Sequence, residues 1–91
     1  MKQGWTQRIL NTAGIPDETL PRQTILELCG DSRVLIENHR GVAGYGKEEI
    51  LVRVPFGRVC VQGTGLRLCR MLGKQLIITG RIRAVLLQRE G

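Results

Sequence analysis

Aromatic residues are scarce in this 91-residue sequence, where Trp5, Tyr45 and Phe56 are the only three. Proteins that read single-stranded nucleic acid usually stack bases on aromatic side chains, so the scarcity weakens a nucleic-acid-binding function. Long apolar runs are also lacking. The longest, Ala84 to Leu87, is far shorter than the roughly 20 residues of a membrane span. No secretory-type apolar stretch follows Met1, so we expect a cytoplasmic protein.

The motifs of common catalytic and metal sites are missing as well. The sequence has no serine elbow, phosphate loop or nucleotide-binding fingerprint. Cys29, Cys60 and Cys69 form no Cys-x-x-Cys pair, whereas a zinc site usually includes one close pair. We expect no enzyme, cofactor or metal, although the three cysteines and His39 would supply four zinc ligands by count.

His39 is the single histidine. Strand alternation would place it on one face with Glu37, within reach of a hydrogen bond. A general base also needs a nucleophile and an orienting group, and only one such pair is available here. The pattern therefore favours a structural histidine at the end of a strand, beside a turn.

Acidic residues are nearly absent from the second half of the chain. Residues 50–91 hold eight basic side chains and one acidic one, Glu90, while residues 1–49 are almost balanced. Eleven of the fourteen cations are arginine, which favours bidentate contact with carboxylate or phosphate. The charge is typical of a surface for nucleic acid, anionic lipid or an acidic protein, or of a solvated face that keeps the protein soluble.

The pattern of residues predicts a short N-terminal helix and linker over 1–22 and a β-domain over 23–91. Residues 23–29 and 33–38 flank Gly30-Asp31-Ser32 as a first hairpin, and residues 49–54 alternate as a strand. Residues 40–47 read as turns. Residues 75–88 predict one long strand, with either a bulge near Gly80 or a tail that is buried on both faces. We expect a mainly β domain of about six strands, an antiparallel meander forming a sandwich or partly open barrel, with a short β-solenoid as the alternative.

Residues 57–63 and 66–70 read as two further strands. A two-residue turn at Thr64-Gly65 would keep their apolar residues on one face. This register places Cys60 directly opposite Cys69, so we expect a pair of thiols able to form a disulfide on oxidation. Alternation also places five arginines on one outward face: Arg53, Arg58, Arg67, Arg81 and Arg83.

The chain resembles a known family over about three quarters of its length. The resemblance rests on Ile36-Glu37-Asn38-His39-Arg40-Gly41, on Tyr45 and Glu49-Ile50, and on the pattern Gly57-x-Val59-x-Val61-x-Gly63. It continues through Leu66-x-Leu68 with Met71, and through Leu76-x-Ile78-x-Gly80-x-Ile82. On these residues the chain resembles the YabP/YqfC sporulation proteins of endospore-forming bacteria, and the YqfC branch most closely.

The resemblance implies a small mother-cell protein with a functional link to a YqfD-like integral-membrane sporulation protein. It implies no catalytic residue, and the motif Glu37, Asn38, His39, Arg40 and Gly41 could serve the turn alone. We therefore expect a non-enzymatic assembly factor at the forespore-facing membrane. Its docking surface would be the five arginines, and exposed strand edges would favour self-association. The alternative function is a small basic nucleic-acid-binding domain.

Overall fold

The computed structural model describes residues 23–90, so the predicted helix and linker over 1–22 lie outside it. The described part contains no helix, and the prediction of a mainly β domain is confirmed. The first hairpin and the alternating strand over 49–54 form as predicted. Six strands follow one another: β1 (Ile25–Cys29), β2 (Arg33–Glu37), β3 (Val42–Tyr45), β4 (Glu49–Val54), β5 (Gly57–Leu72) and β6 (Gln75–Arg89).

All six strands belong to one antiparallel sheet with the order β1-β2-β6-β5-β4-β3. Strands β3 to β6 form the expected meander, and the β1–β2 hairpin pairs with β6. The solenoid alternative is wrong, because its coils would not give this antiparallel order. Strand β3 was also not predicted, since its sequence, Val42–Tyr45, lies among glycines typical of turns.

The predicted turn at Thr64-Gly65 is wrong. Strand β5 runs through these residues, and the chain reverses instead at Gly73-Lys74. Gly65 has a φ of 60°, and it lies where the register shifts, so that Gly65 and Leu66 together oppose Gly80. A glycine in the left-handed region suits a bulge as well as a hairpin turn. Such bulges keep apolar residues on one face without a chain reversal. In β6 itself the extra residue is Arg83, between Ile82 and Ala84, and not Gly80.

The long β5–β6 hairpin divides the sheet into two halves. We call residues 67–72 and 75–79 with β1 and β2 the tip half, because β2 pairs with β6 at residues 75–79 alone. We call residues 57–62 and 84–89 with β3 and β4 the base half, because β4 pairs with β5 at residues 57–62 alone. Each half is therefore a four-stranded sheet built on the same hairpin.

Between the halves, two glycines allow the strands to approach closely. A Cβ on Gly63 would overlap the Arg81 carbonyl oxygen, and one on Gly80 would lie 2.7 Å from the Gly65 carbonyl oxygen. In the same region, strand amides donate backbone hydrogen bonds to the carbonyls of two turns. Gly63 N–H donates to Glu48, Leu66 N–H to Lys47, Gly80 N–H to Ser32 and Ile82 N–H to Asp31.

The core draws on both halves at once. Its buried members come from β2 and β6 of the tip half and from β4 and β5 of the base half, together with Leu66 near the bulge. Each fully buried side chain of this size contributes about 1.5–3 kcal/mol. The buried set is Val34, Ile36, Ile50, Val52, Val54, Val59, Val61, Leu66, Leu76 and Ile78.

Candidate interaction surface

The motif Glu37, Asn38, His39, Arg40 and Gly41 links the two halves of the sheet. The Asn38 and His39 amides both donate to the carbonyl of Lys74 in the β5–β6 turn of the tip half, at 2.8 and 3.3 Å. Two residues later, Arg40 N–H donates to the Arg53 carbonyl on β4 at 2.7 Å, and Arg53 N–H donates to Gly41 at 2.8 Å. The motif therefore has a structural role that the resemblance did not reveal.

Backbone conformation explains two residues of the motif. Asn38 has a φ of 65° and is the single non-glycine residue with positive φ in the described part, a conformation that asparagine tolerates better than most residues. Gly41 has a φ of 110°, as its expected turn role requires. These two positions turn the chain out of β2 and onto the end of β4.

His39 is only 7% exposed, in agreement with a structural histidine at the end of a strand. Its Nδ1 accepts the Gly41 N–H at 2.9 Å, so the neutral ring carries its proton on Nε2. Burial, and then the nearby Lys74 cation, lower the pKa of His39 below its ordinary value. Within residues 23–90 neither His39 Nε2 nor Asn38 Nδ2 has a hydrogen-bond partner, although both are buried.

Glu37 and His39, which alternation places within reach of each other, do not form a hydrogen bond. Glu37 instead accepts a 2.9 Å hydrogen bond from Gln75 Nε2 across the β2–β6 pair. The Nδ1 atom of His39 accepts the Gly41 N–H instead. Among the described residues, no group of three or more His, Cys, Asp or Glu is placed to hold a metal ion. The four-ligand zinc set counted from the sequence is therefore not brought together.

The predicted Cys60–Cys69 pair is wrong. Both cysteines lie on the continuous strand β5, nine positions apart, which corresponds to about 30 Å of extended chain. Cys60 pairs with Leu51 and Leu86, while Cys69 is the extra residue of the bulge between Leu68 and Arg70. A disulfide needs Cα atoms within about 7 Å, so this fold cannot form that bond. The error follows directly from the turn that was wrongly placed at Thr64-Gly65.

Cys60 instead belongs to a small polar network that the sequence did not reveal. Its thiol donates to Glu49 Oε2 at 3.0 Å, and Gln62 Nε2 donates to the same oxygen at 3.2 Å. Burial, and then the Glu49 carboxylate, raise the pKa of Cys60 to about 11. The two hydrogen bonds lower the pKa of Glu49. The sequence could not reveal this network, because it depends on the direct cross-strand pairing of Glu49 with Gln62. That pairing follows only from the β4–β5 register.

All five arginines of the predicted docking surface are exposed. Arg53 and Arg58 are direct partners across the β4–β5 pair in the base half. Like charges directly opposite each other destabilise a sheet, and the next partner in that row, Gln88, carries no charge to offset them. Among the described strands, this row is the one place where two cationic side chains pair directly across the ladder.

The remaining predicted arginines lie elsewhere along the hairpin. Arg67 pairs with Thr79 in the tip half, and Thr79 also pairs with Arg33 on its other side. Arg81 pairs with Thr64, and Arg83 is the extra residue of a bulge in β6. None of these arginines has a carboxylate opposite it in the ladder. The register therefore distributes the cations in separate groups along the β5–β6 hairpin. Alternation alone predicts instead that all five arginines share one flat face.

The two aromatic residues that the structure describes are engaged elsewhere. Phe56 packs against the core. The Tyr45 hydroxyl accepts the Leu68 N–H at 3.3 Å. Neither provides a stacking platform beside the Arg53–Arg58 row, and Trp5 lies outside the described residues.

Comparison with known proteins identifies a family but no individual relative. A model of the YabP family matches residues 21–91, which covers all of the described β-domain. The curated proteins contain no match, and neither do the solved structures. No helix in residues 23–90 has the length and apolar character needed to cross a membrane.

Proposed function

The chain belongs to the YabP family and is thereby a sporulation-related protein, and on that premise we propose that it is a non-enzymatic assembly factor of the mother cell. We place it in the YqfC branch of the family. It docks from the cytoplasm onto an integral-membrane sporulation protein of the YqfD-like kind, at the membrane that faces the forespore. The docking surface includes the Arg53–Arg58 row, and the partner presents an acidic segment to it.

The direct pairing of Arg53 with Arg58 is the observation that carries this proposal. Both side chains are exposed and stand opposite each other without a carboxylate in the row. Such a pair opposes folding, because like charges repel across a strand pair. An acidic partner would remove that repulsion, and two guanidinium groups side by side can bind carboxylates in bidentate fashion. The pair is therefore better suited to recognition than to stability.

Charge reversal tests the surface. Arg53→Glu with Arg58→Glu, and separately Arg67→Glu with Arg83→Glu, are compared with the wild type in co-purification with the detergent-solubilised membrane partner. We expect the first variant to lose the partner. The Arg67→Glu/Arg83→Glu variant shows whether the arginines farther along the hairpin also contribute to binding of the partner.

The matched control is Lys47→Glu with Lys74→Glu. Both lysines are exposed and lie in turns, so this variant undergoes the same change in net charge away from the row. Retention of the partner by the control and its loss in Arg53→Glu/Arg58→Glu support docking at the row. Equal binding by every variant would rule out this surface, and equal loss in the control would reduce the effect to net charge.

The same variants address binding to nucleic acid. A gel shift with single-stranded RNA or DNA that weakens steeply with salt and disappears in Arg53→Glu/Arg58→Glu would replace the proposed partner by nucleic acid. We expect no such shift, because neither described aromatic residue provides a platform for stacking beside the row.

A further inference from the structure

The end of the β5–β6 hairpin exposes two large apolar side chains. Met71 is 53% exposed and Leu72 is 65% exposed, and every residue from Cys69 to Lys74 is exposed. Within residues 23–90, no strand pairs with the outer side of residues 67–72, because β4 pairs with β5 at residues 57–62. The two apolar side chains therefore lie uncovered at the end of a regular strand pair.

These two side chains point to opposite faces of the sheet. Met71 pairs with Leu76, which is fully buried, so Met71 lies on the core face. Leu72 pairs with Gln75 and lies on the outer face. A protein laid on the sheet would cover one of these faces, and a strand added at the edge would cover neither. The interface of a lipid bilayer surrounds the end of a hairpin and takes both side chains out of water together.

Cations flank the exposed apolar pair on both sides along the chain. Arg70 precedes it and Lys74 follows it in the turn, and both side chains are exposed. The carboxylate in the row of Leu72 belongs to Glu37, and it accepts a hydrogen bond from Gln75, which stands between the two. Long cationic side chains lay their stems along apolar groups and keep their charge in water. This charge pattern is complementary to an anionic lipid surface.

The turn at the hairpin end is held in place by the motif described above. The carbonyl of Lys74 accepts the amides of Asn38 and His39, at 2.8 and 3.3 Å. The backbone of the turn is therefore fixed before any contact is made, so that little conformational freedom is lost when it binds.

We propose that Met71 and Leu72 insert into the interface of an anionic lipid bilayer, while Arg70 and Lys74 bind the phosphate groups of its lipids. Insertion stops at the level of the headgroups, because the backbone groups on the outer side of residues 67–72 still need water as a partner. The contact is therefore peripheral and reversible. It lies outside the Arg53–Arg58 row and needs no protein partner.

Vesicle sedimentation tests the apolar part of the contact with the full chain alone. We expect the wild type to bind phosphatidylcholine vesicles that contain about 30% phosphatidylserine, and to bind pure phosphatidylcholine much more weakly. Met71→Ser with Leu72→Ser should weaken the binding about tenfold or more. Leu28→Ser with Leu87→Ser is the matched control, because these leucines are 53% and 62% exposed elsewhere on the sheet. The control should bind as the wild type does.

Charge removal tests the cations in the same assay. Each cation near an anionic surface contributes about fivefold to partitioning, so Arg70→Gln with Lys74→Gln should bind about 25-fold more weakly. Lys47→Gln with Arg89→Gln removes the same charge from exposed positions away from the hairpin end. A wild type that does not bind anionic vesicles would overturn the proposal. Equal loss in a variant and its control would do the same, because net charge or general apolar exposure would then explain the binding.

A fluorescent label gives a second test that does not depend on weakening the contact. In a Cys29→Ser/Cys69→Ser background, Leu72→Cys carries a polarity-sensitive dye, and Cys29 carries it in a Cys69→Ser chain. Cys60 is buried and reacts slowly. Emission should brighten and shift to the blue on anionic vesicles at position 72 and stay unchanged at position 29. Equal responses would contradict insertion of the hairpin end. Both tests use lipid without the membrane partner, so their failure is separate from failure of the proposed docking.

Discussion

The Tyr45 hydroxyl accepts a 3.3 Å hydrogen bond from the amide of Leu68, which lies in the part of β5 that pairs only with β6 within residues 23–90. Tyr45 belongs to β3 in the base half, whereas Leu68 belongs to the tip half. The bond therefore connects two parts of the sheet that do not pair as strands. It also gives a partner to one amide on the side of β5 that no other strand of the described residues covers.

Tyr45→Phe should remove this bond and leave the ring in place. We expect a loss of about 0.5–1.5 kcal/mol in the free energy of unfolding, as is typical of one hydrogen bond, measured by urea denaturation. Because the Tyr45 side chain is exposed, the lower end of that range applies. Hydrogen exchange of the Leu68 amide should become faster, and unchanged exchange would contradict the assigned bond.

Gly63→Ala and Gly80→Ala should each destabilise the domain strongly. An added Cβ meets backbone oxygen at both positions, and Gly80 has a φ of 140° that side chains disfavour. Overpacking of this kind costs about 1–3 kcal/mol or more. Thermal unfolding followed by circular dichroism measures the loss. Gly46→Ala is the control, because its Cβ comes no closer than 3.4 Å to another atom and its φ is not positive. Equal effects at all three positions would argue against the close approach of the strands.

The three thiols should react at very different rates in the native protein. Cys29 and Cys69 are exposed, whereas Cys60 is buried with its pKa raised to about 11. Only thiolate reacts readily, so a thiol reagent near neutral pH should modify two cysteines quickly and the third slowly. Denaturation should make all three reactive. Rapid reaction of three thiols in the folded state would contradict the burial of Cys60.

Stability should fall as the pH is lowered through the range of His39. Because the folded-state pKa lies below the ordinary value of 6.5, the unfolded chain binds the proton more readily. The stability due to the neutral ring is fully present above pH 6.5 and is lost as the pH falls from there through the folded-state pKa. Protonation also puts a proton on Nδ1, so that this atom no longer accepts the Gly41 N–H and two N–H groups face each other.

Urea unfolding at a series of pH values measures this dependence. His39→Gln is the control, since it removes the only histidine of the chain. The variant should be less stable at neutral pH but should lack the decline just below pH 6.5. A decline of the same size in the variant would assign the effect to the carboxylates instead.

Short-range pattern correctly predicted the elements whose signal is local. The alternation of Ile50, Val52 and Val54 identified β4 with its observed bounds, because one face of that strand is buried. The turn residues Gly30-Asp31-Ser32 identified the first hairpin. The resemblance carried by the Glu37–Gly41 motif pointed to the family whose model matches the β-domain. Its link to the YqfC branch and to a membrane partner remains a prediction.

By itself, the sequence determined the fold class, the existence of a β-domain and the strongly basic second half, because composition and period-two alternation are local properties. Tertiary structure alone decided which residues meet. A glycine with positive φ at position 65 suits either a turn or a bulge, and the core and the neighbouring strands select the bulge. That choice separates Cys60 from Cys69, aligns Cys60 with Leu51 and Leu86, and leaves the apolar end of β6 without a neighbour in the described sheet. Register depends on contacts between distant parts of the chain, and these form only when both halves bury a common core.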